Sequence, residues 1–488
     1  MKEVSLKSNI VLNAIKQACT IIFPLITFPY VSRVLGTEAY GKYSFGYTYV
    51  NYFILFAALG TSTYAIREGA KIRDDKKRIS TFADDIFSIN VITMILSYAI
   101  LFTSIALWNK LEAYIWLIIV QSSAIFLNTI GTDWMNSIYE DFRYISLRYI
   151  AFQIIAVILM FLFVKKSEDY IVFAAINVFA NAGPNLLNII YTRKKYLKVK
   201  FRVSKTLKAH IIPLIILFSN TLAVSIYVNS DITLLGIFST DESVGIYTLA
   251  AKIYNIVKQI LNAAIVVIIP RIAYYLGKNE IKKYNAILNQ TIHGLIVLIL
   301  PAITGLAALA ADVVFLCGGK DYYAAQEPLK ILCLALCFSV LGCFFSNAIL
   351  IVNKMEKLVL KVTILSAISN IVLNLFFIPT LDMTGAAITT VIAELIVFFV
   401  SCFQSRDYWK VNFSFRFIFS CIVGCIIMFI YLKLVTAFWT GMIGRMFFSI
   451  IGGTLIYAIS LVIFKNEIAL YGLSILRKWL FRRGHAGV

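Results

Sequence analysis

The chain has 488 residues, 60% of them hydrophobic and only 14% charged, with a mean hydropathy of +0.84. A soluble protein would carry about a quarter charged residues, so an aqueous globular fold is excluded. The net charge of +20 would suit nucleic-acid binding in a soluble chain. Here the basic residues lie between apolar blocks of about 20 residues, the length that crosses a bilayer as a helix. The expected fold class is therefore all-α, a polytopic membrane protein with no nucleic-acid partner.

Fourteen spans are expected. In the first half they lie at about 10–34, 44–66, 86–108, 113–138, 147–164 and 169–192. They continue at about 211–237, 245–270, 286–309, 328–352, 358–378 and 384–404, with a last pair near 414–436 and 442–464. Lys2 and Lys7 precede the first block, but that block is too long for a signal peptide and lacks a small-x-small cleavage site, so it reads as the first span.

Lys and Arg set the orientation. With the N-terminus inside, the inner connections include Arg67–Arg78, Arg143 and Arg148, Arg193–Lys208, Arg271–Lys283, Lys354–Lys361, Arg406–Arg416 and the tail from Lys465. The outer ones hold Arg33, Lys42, Lys110, Lys165, Lys166, Lys320, Lys433 and Arg445. That is 33 basic residues inside against 8 outside, with four more within spans. The bias recurs loop after loop, and a miscounted span would reverse it from that point on. Both termini are then expected in the cytoplasm.

One stretch is repeated. Val31–Tyr43 has Leu35-Gly36, then Glu38, then Gly41-x-Tyr43; Asp231–Tyr247 has Leu235-Gly236, then Glu242, then Gly245-x-Tyr247. The copies lie roughly 200 residues apart, too far for a solenoid but right for two homologous bundles in one chain. Spans one and seven run the same way, as a parallel repeat requires. Ala174-Ala175-Ile176 and Ala386-Ala387-Ile388 are a weaker echo. The expected organisation is a six-helix lobe over 1–192, a basic cytoplasmic linker over 193–210, a second six-helix lobe over 211–404, an extra helix pair over 405–464 and a basic tail over 465–488. Within the tail, Glu467–Arg483 has the pattern of an amphipathic helix on the inner leaflet.

The sequence carries no HExxH, P-loop, GxGxxG or GxSxG motif. Its eight cysteines, seven after residue 300, contain no Cys-x-x-Cys pair and read as small buried hydrophobes. No enzyme chemistry, cofactor or metal is expected. The informative residues are charges within spans. One near the bilayer centre costs about 2.5–3.5 kcal/mol on insertion scales, so it faces a cavity or a partner. Lys16 lies in span one; Lys252 and Lys258 lie in span eight, about 120° apart around the helix. Asp231 and Glu394, in spans seven and twelve, read as coupling or structural carboxylates, and Asp133, in the inner half of span four, as a structural partner near the inner rim. A cavity holding several lysines suits an anionic substrate, because ammonium groups bind phosphate as point charges. Asn220, Asn229 and Tyr254 are further polar and aromatic groups within spans, candidates for contact with a polar substrate or for bridging helices.

Several of these motifs together resemble one family. Phe23-Pro24, Pro29-Tyr30, Arg33-Val34-Leu35-Gly36, Tyr40-Gly41-x-Tyr43-Ser44 and Tyr64-Ala65-Ile66-Arg67-Glu68 are similar to the start of Wzx-type polysaccharide flippases. So are Asp231–Tyr247 with Ala250 and Lys252, Pro270-Arg271, and Asn370–Glu394 with Asn374, Ile378-Pro379, Gly385-Ala386-Ala387 and Glu394. The resemblance runs from the first span to about the twelfth. It implies the multidrug/oligosaccharidyl-lipid/polysaccharide exporter fold, two six-helix lobes around a cavity open alternately to either face. The implied substrate is an undecaprenyl-pyrophosphate-linked oligosaccharide for O-antigen, capsule or exopolysaccharide. The implied setting is a bacterial inner membrane, among membrane lipids and other polysaccharide-assembly proteins. Lys16, Lys252 and Lys258, with Arg33 at the outer mouth, are the expected cationic contacts. The alternatives are a cation-coupled multidrug antiporter of the same superfamily, a peptidoglycan-precursor flippase and a membrane polysaccharide polymerase.

Overall fold

The computed structural model describes residues 6–410 and 414–474. Among them every regular element is helical. Twelve helical segments are long and apolar enough to cross a membrane. Two of these, Ile15–Ile72 and Glu356–Tyr408, run 58 and 53 residues, more than twice the roughly 20 residues that one crossing needs. Each contains a break, so the segments supply fourteen passes. Residues 1–248 and 249–488 form two compact units.

The first unit is built around α1 (Leu6–Ala58), which packs against α3 (Lys76–Leu107), α4 (Ile115–Gly131), α6 (Phe142–Phe163), α7 (Tyr170–Asn181) and α9 (Leu207–Phe238). The sequence suggests a loop between the first two spans. Instead the helix runs on through one non-helical residue, Gly36, at φ 73° and ψ −178°. Only glycine takes that conformation without a steric cost. At Leu59-Gly60, where both residues have positive φ, the chain turns into α2 (Thr61–Ile72). Asp75 caps α3, accepting from the amides of Lys77 and Arg78 at 3.0 Å each.

The expected fourth and sixth spans are each interrupted. Span four breaks at Thr132 (φ 45°) and resumes as α5 (Trp134–Ile138). Span six breaks after α7 and restarts at Pro184 as α8 (Pro184–Lys195), where a first-turn proline loses no hydrogen bond. The basic stretch after α8 then returns to α3. The Lys200 amide donates to Asp84 at 2.7 Å, the Arg202 amide to Ser88 Oγ at 2.7 Å, and Thr206 Oγ1 to Asp85 at 2.6 Å.

The two copies of the repeated motif meet within this unit, where α10 (Asp241–Gly277) begins. A Cβ on Gly41 would lie 1.7 Å from the Asp241 carbonyl oxygen, and one on Gly245 would lie 2.0 Å from the Thr37 carbonyl oxygen. Helix backbone therefore rests directly on helix backbone. Tyr52 bonds Thr233 at 3.0 Å, Lys110 donates to the Ile237 carbonyl at 2.9 Å, and Tyr114 donates to Asp241.

The second unit holds the rest of α10, α11 (Ile281–Ala308), α12 (Ala310–Gly318), α13 (Gln326–Cys343), α14 (Glu356–Ser405), α15 (Phe415–Phe438) and α16 (Met442–Ile463). α13 continues as a π-helix over Phe344–Ile351. Its core joins Ile265, Leu288, Ile292, Val340 and Phe344. α14 breaks at Asp382 (φ 51°, ψ −134°), three residues after Pro379. α15 and α16 pack on each other and on α11. Arg445 of α16 pairs with Asp312 of α12, and Asn466 donates to Ser420 Oγ at 2.8 Å. Between α11, α12, α15 and α16 lies an apolar cavity of about 750 Å³. All eight cysteines are free, buried or half-buried. Residues 467–474 are helical; the remainder of the expected amphipathic tail, from 475, lies outside the described residues.

Candidate functional site

The first unit encloses a polar cavity of about 350 Å³. It lies where spans four and six break, at the ends of α4 and α7. The last carbonyls of an α-helix have no partner within it, and asparagines supply one at the break in span four. Asn188 Nδ2 donates to the Gly131 carbonyl at 2.5 Å, while Asn136 Nδ2 donates to Asn188 Oδ1 at 2.6 Å. Beside them Asn185 Nδ2 donates to Asn128 Oδ1 at 2.9 Å. At the end of α1 the freed Ala57 carbonyl accepts from Asn90 Nδ2 at 3.1 Å and Thr93 Oγ1 at 2.6 Å. Of these amides Asn90, Asn128 and Asn185 line the cavity, with Asn136 and Asn188 behind them.

Three charges face this cavity: Lys16, Asp133 and Arg148. Lys16 is half-buried on α1, its ammonium 5.6 Å from the centre of the Tyr149 ring. Arg148 lies seven residues into α6 with its side chain only 6% exposed, and it is ion-paired to Asp133, whose side chain is 48% exposed. The guanidinium also lies 5.1 Å from the centre of the Tyr144 ring. The lining carries one net positive charge. A smaller adjoining cavity of about 140 Å³ shares Ile54, Asn128 and Asn181 with it and adds Tyr47, Asn51 and Gln121.

The other expected site residues lie elsewhere. Arg33 is exposed on α1, three residues before the Gly36 break, and does not line the cavity. Asp231, buried on α9, accepts from Tyr247 Oη at 2.5 Å. In the second unit Lys258 Nζ donates to Glu394 Oε1 at 2.5 Å, and Tyr254 Oη reaches the same oxygen at 3.1 Å. Lys258 is thus neutralised where it stands. Lys252 is half-buried one and a half turns earlier on α10. Asn220 is exposed, and Asn229 donates to the Ser225 carbonyl of its own helix at 3.0 Å.

Arg148 and the asparagines were not singled out by the sequence. Arg148 looks like a loop charge because Arg143 stands five residues before it and the span edge is soft. The asparagines did leave a signal. Asn181, Asn185 and Asn188 fall at i, i+4 and i+7, one face of a helix, within an apolar block.

Residues 6–276 match the family described as "Polysaccharide biosynthesis protein". The chain belongs to that family. A putative O-antigen transporter of Escherichia coli (strain K12) is 28% identical over 408 residues, spanning 81% of this chain and 95% of the relative. A probable low-salt glycan biosynthesis flippase, Agl15, of Haloferax volcanii is 22% identical over 198 residues, covering 41% of this chain and 42% of its own. Among solved structures, the lipid II flippase MurJ in an inward closed conformation superposes with a TM-score of 0.78 at 16% identity, over 94% of this chain and 99% of that one. An inward-facing multidrug resistance MATE family transporter of the MOP superfamily superposes with a TM-score of 0.61 at 16% identity, over 82% of this chain and 98% of that one. At those identities the structures speak for the fold alone. The polysaccharide biosynthesis family is thus joined to the many-helix fold of these two structures. The two curated relatives are named for transport and flipping, and the chain is a multi-pass membrane protein, not an enzyme.

Proposed function

We propose that the chain flips an undecaprenyl-pyrophosphate-linked oligosaccharide from the cytoplasmic to the outer leaflet of a bacterial inner membrane by alternating access, for assembly of a surface polysaccharide. The observation that carries this reading is the polar, net positive cavity of the first unit in a chain of the polysaccharide biosynthesis family. A sugar chain that crossed hydrocarbon unaided would lose its hydration and expose two phosphates to a medium that cannot hydrogen-bond them. Amide side chains and two cations replace that lost hydration. The cavity's 350 Å³ sits at the low end of the roughly 300–1,000 Å³ usual for small-ligand sites. It takes the head of such a lipid and not a whole oligosaccharide.

Alternating access needs a contact that parts without stranding polar groups. The meeting of Thr37–Gly41 with Asp241–Gly245 has that character, since helix backbone touches helix backbone there with no Cβ between. We assign substrate contact first to Lys16, with Lys252, Lys258 and Arg33 as further cations along the route, and keep Asp231 and Glu394 as coupling or structural carboxylates. The six-helix lobes 1–192 and 211–404, the linker 193–210 and the extra pair 405–464 belong to the same reading.

The deciding experiment deletes the gene and asks on which leaflet lipid-linked oligosaccharide accumulates. Build-up on the cytoplasmic leaflet with surface polymer lost is expected; normal outer-leaflet delivery refutes the reading. One observation favours a second reading, a cation-coupled drug antiporter: a carboxylate, Asp133, does face the first-unit cavity. It is ion-paired to Arg148, and with Lys16 the lining stays net positive, which suits an anion better. Raised drug sensitivity in the deletion strain, with normal polymer, would decide for the antiporter.

A further inference from the structure

The geometry points to Arg148 as the diphosphate donor of the first-unit cavity, with Asp133 occupying the anion's place when the cavity is empty; this rests on the transport reading above. Arg148 has a side chain only 6% exposed, yet it belongs to the cavity lining. One guanidinium nitrogen, Nη2, bonds Asp133. Nε and Nη1 are buried with no hydrogen-bond partner. Buried donors left unmade keep their full desolvation cost, larger when charged, and folded proteins rarely keep two on one side chain. Such a group is supplied for something that arrives later.

The chemistry of the arrival follows from the donors. Arginine presents planar N–H groups that match carboxylate and phosphate oxygens. Asp133 already satisfies one corner as a carboxylate does, and its side chain is half exposed while Arg148 is enclosed. The acid is therefore the movable member and the guanidinium the fixed one. A diphosphate brings several acceptor oxygens. It can engage the unpartnered nitrogens, displace Asp133 from Nη2 and leave its remaining charge to Lys16, which shares the lining. Asp133 then acts as a placeholder that keeps the buried cation compensated between cycles and competes with the substrate.

The test uses the purified full-length chain in detergent and measures binding of farnesyl diphosphate, with farnesol as the uncharged control. Wild type is expected to bind the diphosphate at least tenfold more tightly than farnesol. R148K keeps a charge for Asp133 but loses the spare donors. It is expected to stay folded and to weaken diphosphate binding at least tenfold, with farnesol unchanged. D133N removes the competitor and is expected to tighten diphosphate binding at least threefold. The signs separate the alternatives: an acid that merely orients Arg148 would make D133N bind more weakly. Weaker binding by D133N, or unaltered binding by folded R148K, overturns the inference. Inorganic pyrophosphate as competitor identifies the source of the anion. Equal displacement means the diphosphate alone is read, displacement only by the prenylated form means the tail is read too, and both keep Arg148 as donor. Absence of diphosphate binding in wild type, with leaflet transport intact in cells, would sink this inference and leave the transport reading standing. Loss of the leaflet phenotype with R148K still weakening binding would do the reverse.

Discussion

Asp141, in the turn between α5 and α6, accepts from Lys195 Nζ at 2.5 Å, Tyr191 Oη at 2.6 Å and Tyr196 Oη at 2.9 Å. Tyr139 stacks on Tyr196 at 4.3 Å and Tyr144 on Tyr191 at 3.6 Å. Burial pushes the Asp141 carboxyl up, but the three donors outweigh it and hold the carboxyl below its usual value. A carboxyl lowered in the folded state adds stability that is complete above its unfolded value, about 3.9, and is lost as pH falls through the lower folded value. D141N should lower the thermal midpoint at pH 7 and flatten the acid limb below pH 4; an acid limb identical to wild type would remove Asp141 from the account. The Lys258–Glu394 pair makes a different prediction. Removing one member of a buried pair costs about 3–5 kcal/mol because it strands the other charge, whereas replacing both with apolar groups is often neutral. K258M should therefore destabilise the chain strongly in thermal unfolding, and K258M/E394M should recover most of that loss. Lys16, Lys258 and Glu394 were legible as charges in apolar runs. The pairing of Lys258 with Glu394 was not, because pairing is decided between helices and leaves no spacing in the chain. Arg148 was hidden for the opposite reason, as one basic residue among those expected at a span edge.

Helix-scale predictions follow from the glycines of the repeat, which do not all do the same work. Gly36 has φ 73° and ψ −178° with nothing within 4 Å of a Cβ built on it, so G36A meets no clash but does meet the penalty of about 1–3 kcal/mol for a side chain in that glycine-only region. It should lower the thermal midpoint modestly and leave binding of farnesyl diphosphate unchanged. Gly41 and Gly245 are helical, and there a Cβ would strike carbonyl oxygens of the facing segment. G41A and G245A cannot relax by a side-chain swing, because the obstacle is backbone. Each should prop the contact apart, and each should block transport while membrane insertion stays normal. A cysteine at buried Ser44, one turn along α1, reports this: its labelling by maleimide should speed up in the G245A background. Unchanged labelling with normal transport would show that the contact is not a gate. The spans themselves were legible because burial in lipid demands unbroken apolar blocks. The breaks at Gly36, Thr132 and Asp382 and the π-helix at Phe344–Ile351 were not, since each depends on what the neighbouring helix offers in return, as Asn188 does for the Gly131 carbonyl.

Orientation is a property of the whole molecule, and the alternation of charge makes it testable at every connection. Hydropathy finds blocks but is indifferent to direction; the 33-to-8 division of basic residues is what assigns sides. Packing within the first unit agrees with that grouping, since Arg73 pairs with Glu140 at 2.7 Å and Asp141 with Lys195 at 2.5 Å, drawing three basic connections to one end. In a cysteine-free background, single cysteines at Lys77, Lys200 and Lys357, all exposed, should react with a membrane-impermeant maleimide only after the membrane is opened. Cysteines at Lys165, Lys320 and Lys433, also exposed, should react in intact cells. The six positions are not six repeats of one measurement. Because consecutive spans reverse direction, one wrong span leaves every label before it as expected and inverts every label after it. An inversion beginning between Lys200 and Lys320 would place the error in α9, α10 or α11. Were it in α9, which leads into the second copy of the repeat, the two copies would lie in opposite senses, and the parallel duplication would have to be given up. Six results in the expected order agree with the alternation up to Lys433 and put the basic connections at Lys77, Lys200 and Lys357 in the cytoplasm. They would also place the start of α1, and Lys16 with it, on the side from which a lipid-linked sugar made in the cytoplasm must enter.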